Sequence, residues 1–477
     1  MLVFAAATAG GACGTGPAGR ERPGAGPATG WEHVQADLDA DGVAVVPDPP
    51  KGLRLGEPVG AGSHVVFHAT MDPPDEGDGT ARDGAGRRLR WVNDPEMWVL
   101  DLRRGVWARM PDPPLEHPFN GGDTILRAWT GREVVVVGTP CAAVLAEEER
   151  TFGPDGPDLC TEGTGRLTAL AYNPETRRWR TIGEAPDFLP PAYREQTEAP
   201  LSVGLVPYGW TGREVVMYPV VEPVPSRYGE ALLLLEPGTG RWRWSAPFPP
   251  GVNVRSVCIG AGRVLATAGG EGTPAPGATV PDAVVVYELD PGTLRWVERS
   301  AADGPGTSGS LTHGLSCPWD HRSAPVFLQS PTPGSGGPMQ LRRFDVEAGR
   351  FDAADLPEDG DVGPWLVFKG VRVGDTDAYL VSDGRVREPG GLGSGDMVLV
   401  PGPEGTWRRA PAFIGWYTWP AVYLGEGRFL VRGKAWAQVA GASEAAAALP
   451  DRARLVDLHR YLEHHGVPVD AAGATGG

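Results

Sequence analysis

Nine histidines are the first place to look for metal or acid–base chemistry. His64 and His68 stand four apart in a β-rich run, on one face of a strand but about 13 Å apart by strand rise, too far to share a metal. His464 and His465 are adjacent near the C-terminus and read as solvated. Asp37-Leu38-Asp39-Ala40-Asp41-Gly42 has the spacing that opens a calcium loop, with Asp48 at the twelfth position where Glu is usual. The same letters between two short apolar runs also read as a hairpin turn. Calcium is the one cofactor the sequence offers. No Gly-x-Ser-x-Gly elbow, phosphate-binding loop or His-Glu-x-x-His is present. The absence of Cys-x-x-Cys argues against a structural zinc site.

Two polar sets fall in segments that join repeats: His117, Asn120 and Asp123 in one, Tyr193, Arg194 and Glu195 in the next, with His313 further on. They could converge on a binding site, although such residues are more often solvated loop. Trp416, Tyr417 and Trp419 could form a stacking platform for a sugar, set against the ordinary use of Trp as core.

The N-terminus resembles the tail of a bacterial lipoprotein signal. Met1 to Ala12 is short, apolar and rich in small residues and ends at Cys13, the residue such a motif lipidates; a Gly/Pro/Arg linker follows to residue 30. With Cys13 as the anchor, Cys141, Cys160, Cys258 and Cys317 are left, an even number. Cys141 and Cys160 bracket one loop-like segment and are the preferred disulfide. Cys258 and Cys317 occupy matching places in successive repeats and are the second candidate pair; buried thiols are the alternative.

Composition bounds the elements that must position these groups. Apolar residues at 41% and charged residues at 22% are globular values. Gly 69 and Pro 49, with 16 Trp and no collagen period, indicate many turns around buried aromatics. A formal charge of −17 argues against nucleic acid as partner. No apolar run is long enough to span a membrane as a helix.

Repeats organise the chain. Trp129-Thr130-Gly131-Arg132-Glu133-Val134-Val135 recurs letter for letter at Trp210–Val216, and Pro47-Asp48-Pro49-Pro50 recurs at Pro111–Pro114. Seven apolar runs read as strands: His64–Ala69, Glu133–Gly138, Glu214–Pro219, Arg263–Ala268, Ala324–Gln329, Asp377–Ser382 and Arg428–Arg432. Most are followed by a long loop, then an apolar residue, a turn, and an aromatic seven positions on: Leu100/Trp107, Tyr172/Trp179, Leu235/Trp242, Leu289/Trp296, Phe344/Phe351 and Val400/Trp407. Each pair reads as a hairpin, giving four-stranded units of roughly 55 residues that bury their faces by packing radially. The last unit lacks an aromatic outer strand, and Val43–Val46 is placed to supply it.

Ala171-Tyr172-Asn173-Pro174, with Trp179 seven residues after the Tyr, resembles the kelch repeat, and Gly269-Gly270 supplies that family's double glycine once. The resemblance covers about residues 51–460. It implies an all-β, kelch-like β-propeller of seven four-stranded blades closed by an N-terminal strand. The domain expected is 31–466, after the signal-like segment and linker 1–30 and before a disordered tail 467–477. The galactose oxidase-like enzymes that share this fold use copper with two Tyr, two His and a Tyr–Cys crosslink; no matching set is found here.

Turns between the first and second and between the third and fourth strands are short, while the other connections are long and fall on one face, the expected binding face. The favoured expectation is an exported, lipid-anchored or secreted monomer that binds a glycan or a protein at the cell surface, touching the membrane only through its anchor. One alternative is a carbohydrate-active enzyme of the epimerase or lyase type, for which Asp123, Arg194, Glu195 and His313 would have to meet in one pocket. Another is a structural subunit of an envelope complex with an apolar patch on its rim.

Overall fold

The computed structural model describes residues 42–51, 53–71, 96–117, 119, 126–141, 152–153, 156–157, 166–185, 202–222, 231–249, 254–268, 285–300, 317–329, 340–355, 365–383, 397–402, 406–411, 421–433 and 452–469. The chain is an all-β propeller of antiparallel sheets. The first blade is Leu53–Ala61, His64–Met71, Glu96–Asp101 and Val106–Arg109. The second is Leu126–Trp129, Val134–Gly138, Thr168–Asn173 and Arg178–Glu184. The third is Ser202–Trp210, Val215–Glu222, Leu233–Glu236 and Arg241–Trp244. The fourth is Val254–Gly260, Arg263–Ala268, Val285–Leu289 and Trp296–Ser300. A three-stranded sheet follows, Val326–Gln329, Gln340–Asp345 and Arg350–Asp355. The Trp365 blade is Trp365–Val373, Thr376–Asp383, Met397–Pro401 and Trp407–Pro411.

The closing blade joins the two ends of the chain. Ala421–Gly425, Arg428–Val431 and Arg454–Asp457 supply three strands and Val43–Val45 the outermost, with Val43 opposite Val456 and Val45 opposite Arg454. Pairing both ends within one sheet removes an open strand edge. The first strands of neighbouring blades pack against one another: Ala421–Gly425 on Leu53–Ala61, then Leu126–Trp129, Ser202–Trp210 and Val254–Gly260 in turn. Core side chains lie between sheets. Val65, Phe67 and Leu100 of the first blade meet Val422, Leu424 and Leu430 of the closing blade, while Val66 meets Val134 and Val136 of the second. That alternation is the period of two that a strand imposes.

Six blades are four-stranded, rather than the seven expected. Among the described residues the remaining unit shows three strands; the described stretch ahead of Val326, residues 317–325, carries Pro318 and Pro325 and forms turns, with the Pro325 carbonyl accepting from Phe344 N–H at 3.1 Å. Proline has no N–H to donate and is excluded from a strand hydrogen-bonded on both sides.

Five of the six aromatic hairpins pair as expected, Leu100 with Trp107, Tyr172 with Trp179, Leu235 with Trp242, Leu289 with Trp296 and Phe344 with Phe351. Val400 instead faces Arg408, and Pro401 faces Trp407. A wider turn, closed by Gly402 N–H donating to the Thr406 carbonyl at 2.8 Å, moves the register by one.

The outer aromatics also tie blades together. The indole N–H of Trp107 donates to the Pro47 carbonyl (3.2 Å), that of Trp179 to Pro111 (2.7 Å) and that of Trp296 to Ala246 (3.1 Å), each acceptor following the outer strand of the preceding blade. This gives the repeated Pro-Asp-Pro-Pro a role, since its first carbonyl receives the next blade's tryptophan. The closing blade has no such Trp. Its substitute is Tyr461 on a short helix, Leu458–His464, whose hydroxyl donates to the Pro411 carbonyl at 3.2 Å. Tyr461, Leu462, Val467 and Val469 are buried in one cluster with Val371 and Val400, so the packed chain runs past residue 466 to Val469. Among the described residues no helix is long and apolar enough to cross a membrane.

Candidate functional site

The two ends of the ring differ in chemistry. At the short-turn end, four of the hairpins between third and fourth strands are organised by a side chain just after the apolar partner of the aromatic. Asp101 accepts from the backbone N–H of Arg103 and Arg104, Asn173 from Glu175 and Thr176, Asp290 from Gly292 and Thr293, and Asp345 from Glu347 and Ala348. These are turns that Asp and Asn side chains close on their own backbone. Four positions later the chain enters the left-handed region, at Gly105 (φ 62°), Arg177 (55°), Leu294 (56°) and Gly349 (64°).

Carboxylates and arginines interlock at this end. In the duplicated heptapeptide Glu133 receives Arg180 and Glu214 receives Arg243, with Nε–Oε1 distances of 3.1 Å and 3.0 Å. Glu288 takes both Arg263 and Arg299. Between the first and second blades lies buried His64. Its Nδ1 is 3.2 Å from Ser63 Oγ, its Nε2 is 3.8 Å from Asp101 Oδ2, and Glu175 reaches over from the second blade to take a hydrogen bond from Ser63 Oγ at 3.2 Å. Burial pulls the His64 pKa down, and the fields of Asp101 and Glu175 oppose this without overcoming it. Ser63 and His64 are both under 5% exposed. The group therefore joins blades and does not present a nucleophile.

The mouth of the ring at this end is crossed by residues 319–323. Trp319 N–H donates to the Gly370 carbonyl of the Trp365 blade (2.9 Å), and the Trp319 ring stands 4.9 Å from Phe429 of the closing blade. The fourth-blade turn donates back, Gly262 N–H to His321 O (2.7 Å) and Ala261 N–H to Ser323 O (2.9 Å). Between these contacts Asp320 is buried. It accepts Arg322 Nε on both oxygens at 3.0 Å and the Tyr423 hydroxyl at 2.9 Å. Burial raises the Asp320 pKa, but the bonds from Arg322 and Tyr423 outweigh it, and the carboxyl is held below its ordinary value. Burial, and then Asp320, raises the Tyr423 phenol.

Toward the opposite end, three blades meet around the backbone of Gly56. His68 projects from the first blade, Arg127 from the second and Arg432 from the closing blade. Arg432 Nη1 donates to the Gly56 carbonyl at 3.4 Å. A side chain on Gly56 would come within 3.1 Å of the His68 carbonyl and 3.3 Å of its Nδ1, so glycine keeps the space open. His68 Nε2 is buried with no hydrogen-bond partner. Burial, then the charge of Arg127, pushes the His68 pKa down to about 4, which leaves a neutral imidazole at physiological pH. The arrangement combines positive charge with a neutral nitrogen able to donate or accept.

The sequence pointed elsewhere for most site residues. Of the expected polar sets only His117 is among the described residues, half-buried beyond the outer strand of the first blade. Asn120, Asp123, Tyr193, Arg194, Glu195, His313, Trp416, Tyr417 and Trp419 lie outside the described residues, as do Asp37, Asp39, Asp41, Cys13 and Cys160. Asp48 is exposed and lies beyond the closing strand from Gly42, across roughly 13 Å of extended backbone as far as Val46. Among the described residues no three His, Cys, Asp or Glu side chains could hold a metal. Cys141 is buried. Cys258 and Cys317 carry thiols rather than the expected bridge; both touch the apolar cluster around Phe344, and Cys317 Sγ donates to the Val257 carbonyl at 3.4 Å. His68 with Arg127 and Arg432, and Asp320 with Tyr423, went unread because their partners are brought together only by ring closure; the signal available was a charged residue inside an apolar inner strand.

The fold and the two ends of the ring define a β-propeller. No family profile matches the chain, and no curated protein matches it. Solved propeller-containing structures do. An oligogalacturonate lyase in complex with manganese is 12% identical over 75% of this chain and 79% of that one, TM-score 0.37. YCF48 from Cyanidioschyzon merolae is 12% identical over 87% of this chain and 98% of that one, TM-score 0.36. The β-propeller domain of the trilobed protease from Pyrococcus furiosus is 14% identical over 76% and 98%, TM-score 0.33.

Proposed function

We propose that the chain is an exported, lipid-anchored β-propeller that binds a glycan or a protein at the cell surface, with Cys13 as the anchor and a Cys141–Cys160 disulfide holding one connection. The observation that carries the reading is the asymmetry of the ring. Described turns at one end are short and knitted by side chains, and residues 319–323 cross that mouth. The connections 72–95, 139–167, 223–232, 269–284 and 432–453 all leave from the other end. A rigid ring carrying its elaboration on one face is a frame for recognition. The large apolar side chains exposed among the described residues, Val45, Val106, Val206 and Val297, lie on four different sheets and so favour binding through loops over a rim interface.

The test is thermal shift of the mature protein against calcium and a panel of neutral and acidic saccharides. A ligand at about 100 times its dissociation constant adds roughly 2.7 kcal/mol. A saccharide-dependent rise in Tm supports a glycan site; a flat panel turns the search to protein partners, by crosslinking on intact cells.

The pairing of neutral His68 with Arg127 favours a second reading, a carbohydrate-active enzyme of the lyase or epimerase type. There the imidazole would take a proton and the guanidinium offset a substrate carboxylate. Turnover of an acidic oligosaccharide that is lost in His68→Gln would establish it. No turnover of any acidic saccharide in the panel would leave the binding module.

A further inference from the structure

The segment 317–323 lies just ahead of the Val326 strand and makes no ladder bonds to that strand's own sheet among the described residues. Its contacts run outward, to Gly370 on one side, to the Ala261-Gly262 turn on the other, and to Tyr423 of the closing blade. A side chain at Gly212, on the third blade, would sit 3.7 Å from His321 Nε2. One short loop therefore touches the fourth, Trp365 and closing blades and lies beside the Gly212 turn of the third. Its shape is held from within by Asp320, which bonds the backbone N–H of Arg322 at 2.9 Å and its guanidinium through both carboxylate oxygens. Its position is held from outside by the Tyr423 hydroxyl, itself 3.4 Å from the Gly427 N–H in a closing-blade turn.

We propose that residues 317–323 are a strap latched by Asp320, which closes the short-turn mouth of the ring so that the central channel is entered only from the face with the long connections. The latch joins a buried carboxylate (3% exposed) to a guanidinium that is 55% exposed, so one side of it is in contact with water. Among the described residues the backbone bonds to other blades that remain once the latch is broken are three, from Trp319 to Gly370, from Gly262 to His321 and from Ala261 to Ser323, so the segment can open below the cost of global unfolding. The strap opens as a unit while the blades stay folded. Pro318 and Pro325 flank it without an N–H to give to any ladder, and the Pro325 carbonyl, which accepts from Phe344 N–H at 3.1 Å, marks where its own sheet begins.

The strap carries its own reporter. Cys317 is half-buried at its start, while Cys258 is fully buried in the fourth blade. Iodoacetamide alkylation of the native full-length protein, read peptide by peptide, compares the two. In Asp320→Ala, Cys317 is expected to react at least tenfold faster than in the wild type, with Cys258 and the amides of Val264–Ala268 as protected as before. Tyr423→Phe, which keeps the ring and removes one latch partner, is expected to give a smaller rise in the same direction; it also serves if Asp320→Ala does not fold. Unchanged Cys317 reactivity in the variants overturns the proposal. So does joint loss of protection at Cys317, Cys258 and the blade amides, because the segment would then be part of the cooperative core and no strap.

Discussion

The duplicated heptapeptide offers a controlled comparison of what a salt bridge is worth at two depths. Thr130 and Thr211 close the same turn, each N–H bonded at 3.0 Å to the carbonyl of its Glu, and the two carboxylates each take an arginine from the outer strand. Arg180 reaches both oxygens of Glu133 and Arg243 only Oε1 of Glu214, but the larger difference is burial. Glu214 and Arg243 are 6% and 12% exposed, Glu133 and Arg180 17% and 40%. Removing Glu214 leaves a guanidinium in a nearly dry site, with the Pro291 carbonyl at 3.2 Å as its other partner. Breaking such a buried pair costs about 3 kcal/mol. Arg180 can turn to water, so losing Glu133 should cost about 1 kcal/mol. Unfolding entropy near 2 cal/mol/K per residue over 477 residues is about 1 kcal/mol/K, so the gap of about 2 kcal/mol appears as roughly 2 °C if the ring melts as one unit. Calorimetry of Glu133→Ala and Glu214→Ala measures it, and Arg243→Leu added to Glu214→Ala should recover most of the larger loss. Equal destabilisation by the two single variants would refute the argument, because it would make the pairs' worth independent of solvent access.

Other expectations follow from the same geometry. His68 has a folded-state pKa of about 4 against an ordinary 6.5, so the unfolded chain binds its proton first as pH falls. The stability His68 contributes is therefore present above pH 6.5 and lost down to about pH 4, up to about 3 kcal/mol, in the same direction as the lowered pKa of His64. Urea midpoints across that window should fall less steeply in His68→Gln than in the wild type. Arg177 holds φ 55° where the equivalent turns use Gly105 and Gly349, so Arg177→Gly relieves backbone strain of about 1 kcal/mol and, after loss of the exposed Nη2 bond to the Arg109 carbonyl (3.1 Å), should stabilise by about 0.5 kcal/mol, read as a raised urea midpoint. Tyr461→Phe removes the hydroxyl that stands in for the missing tryptophan and should cost about 1 kcal/mol, with hydrogen exchange quickening first at the Arg454–Asp457 strand.

Much of the ring is legible in the letters because each blade repeats a local rule. An apolar residue, a self-closing Asp or Asn turn and an aromatic suffice to place a hairpin, and Val43–Val46 shows as a strand in search of a sheet because the last unit is one short. What escapes is set by contacts between blades. Nothing near Tyr461 shows that its hydroxyl occupies the place of an indole, since the acceptor, Pro411, belongs to another repeat. The first strand expected ahead of Val326 is not among the described residues, of which 317–325 form turns around Pro318 and Pro325. Gly56 looks like any turn glycine, yet His68 and Arg432 both lean on it.

The closing blade also decides how the protein would answer a pull. Val43–Val45 runs antiparallel to Arg454–Asp457, with Gly42 O bonded to Asp457 N–H at the very start of the pairing. A force applied to the chain ahead of Gly42 and directed away from the sheet reaches the Gly42 end of the ladder first, so its rungs would break one after another instead of sharing the load in shear. A ring held from that side would hang from its own seam. Tension would peel Val43–Val45 away, exposing the edge of Arg454–Asp457 and freeing the Pro47 carbonyl from Trp107, while the other blades stayed shut.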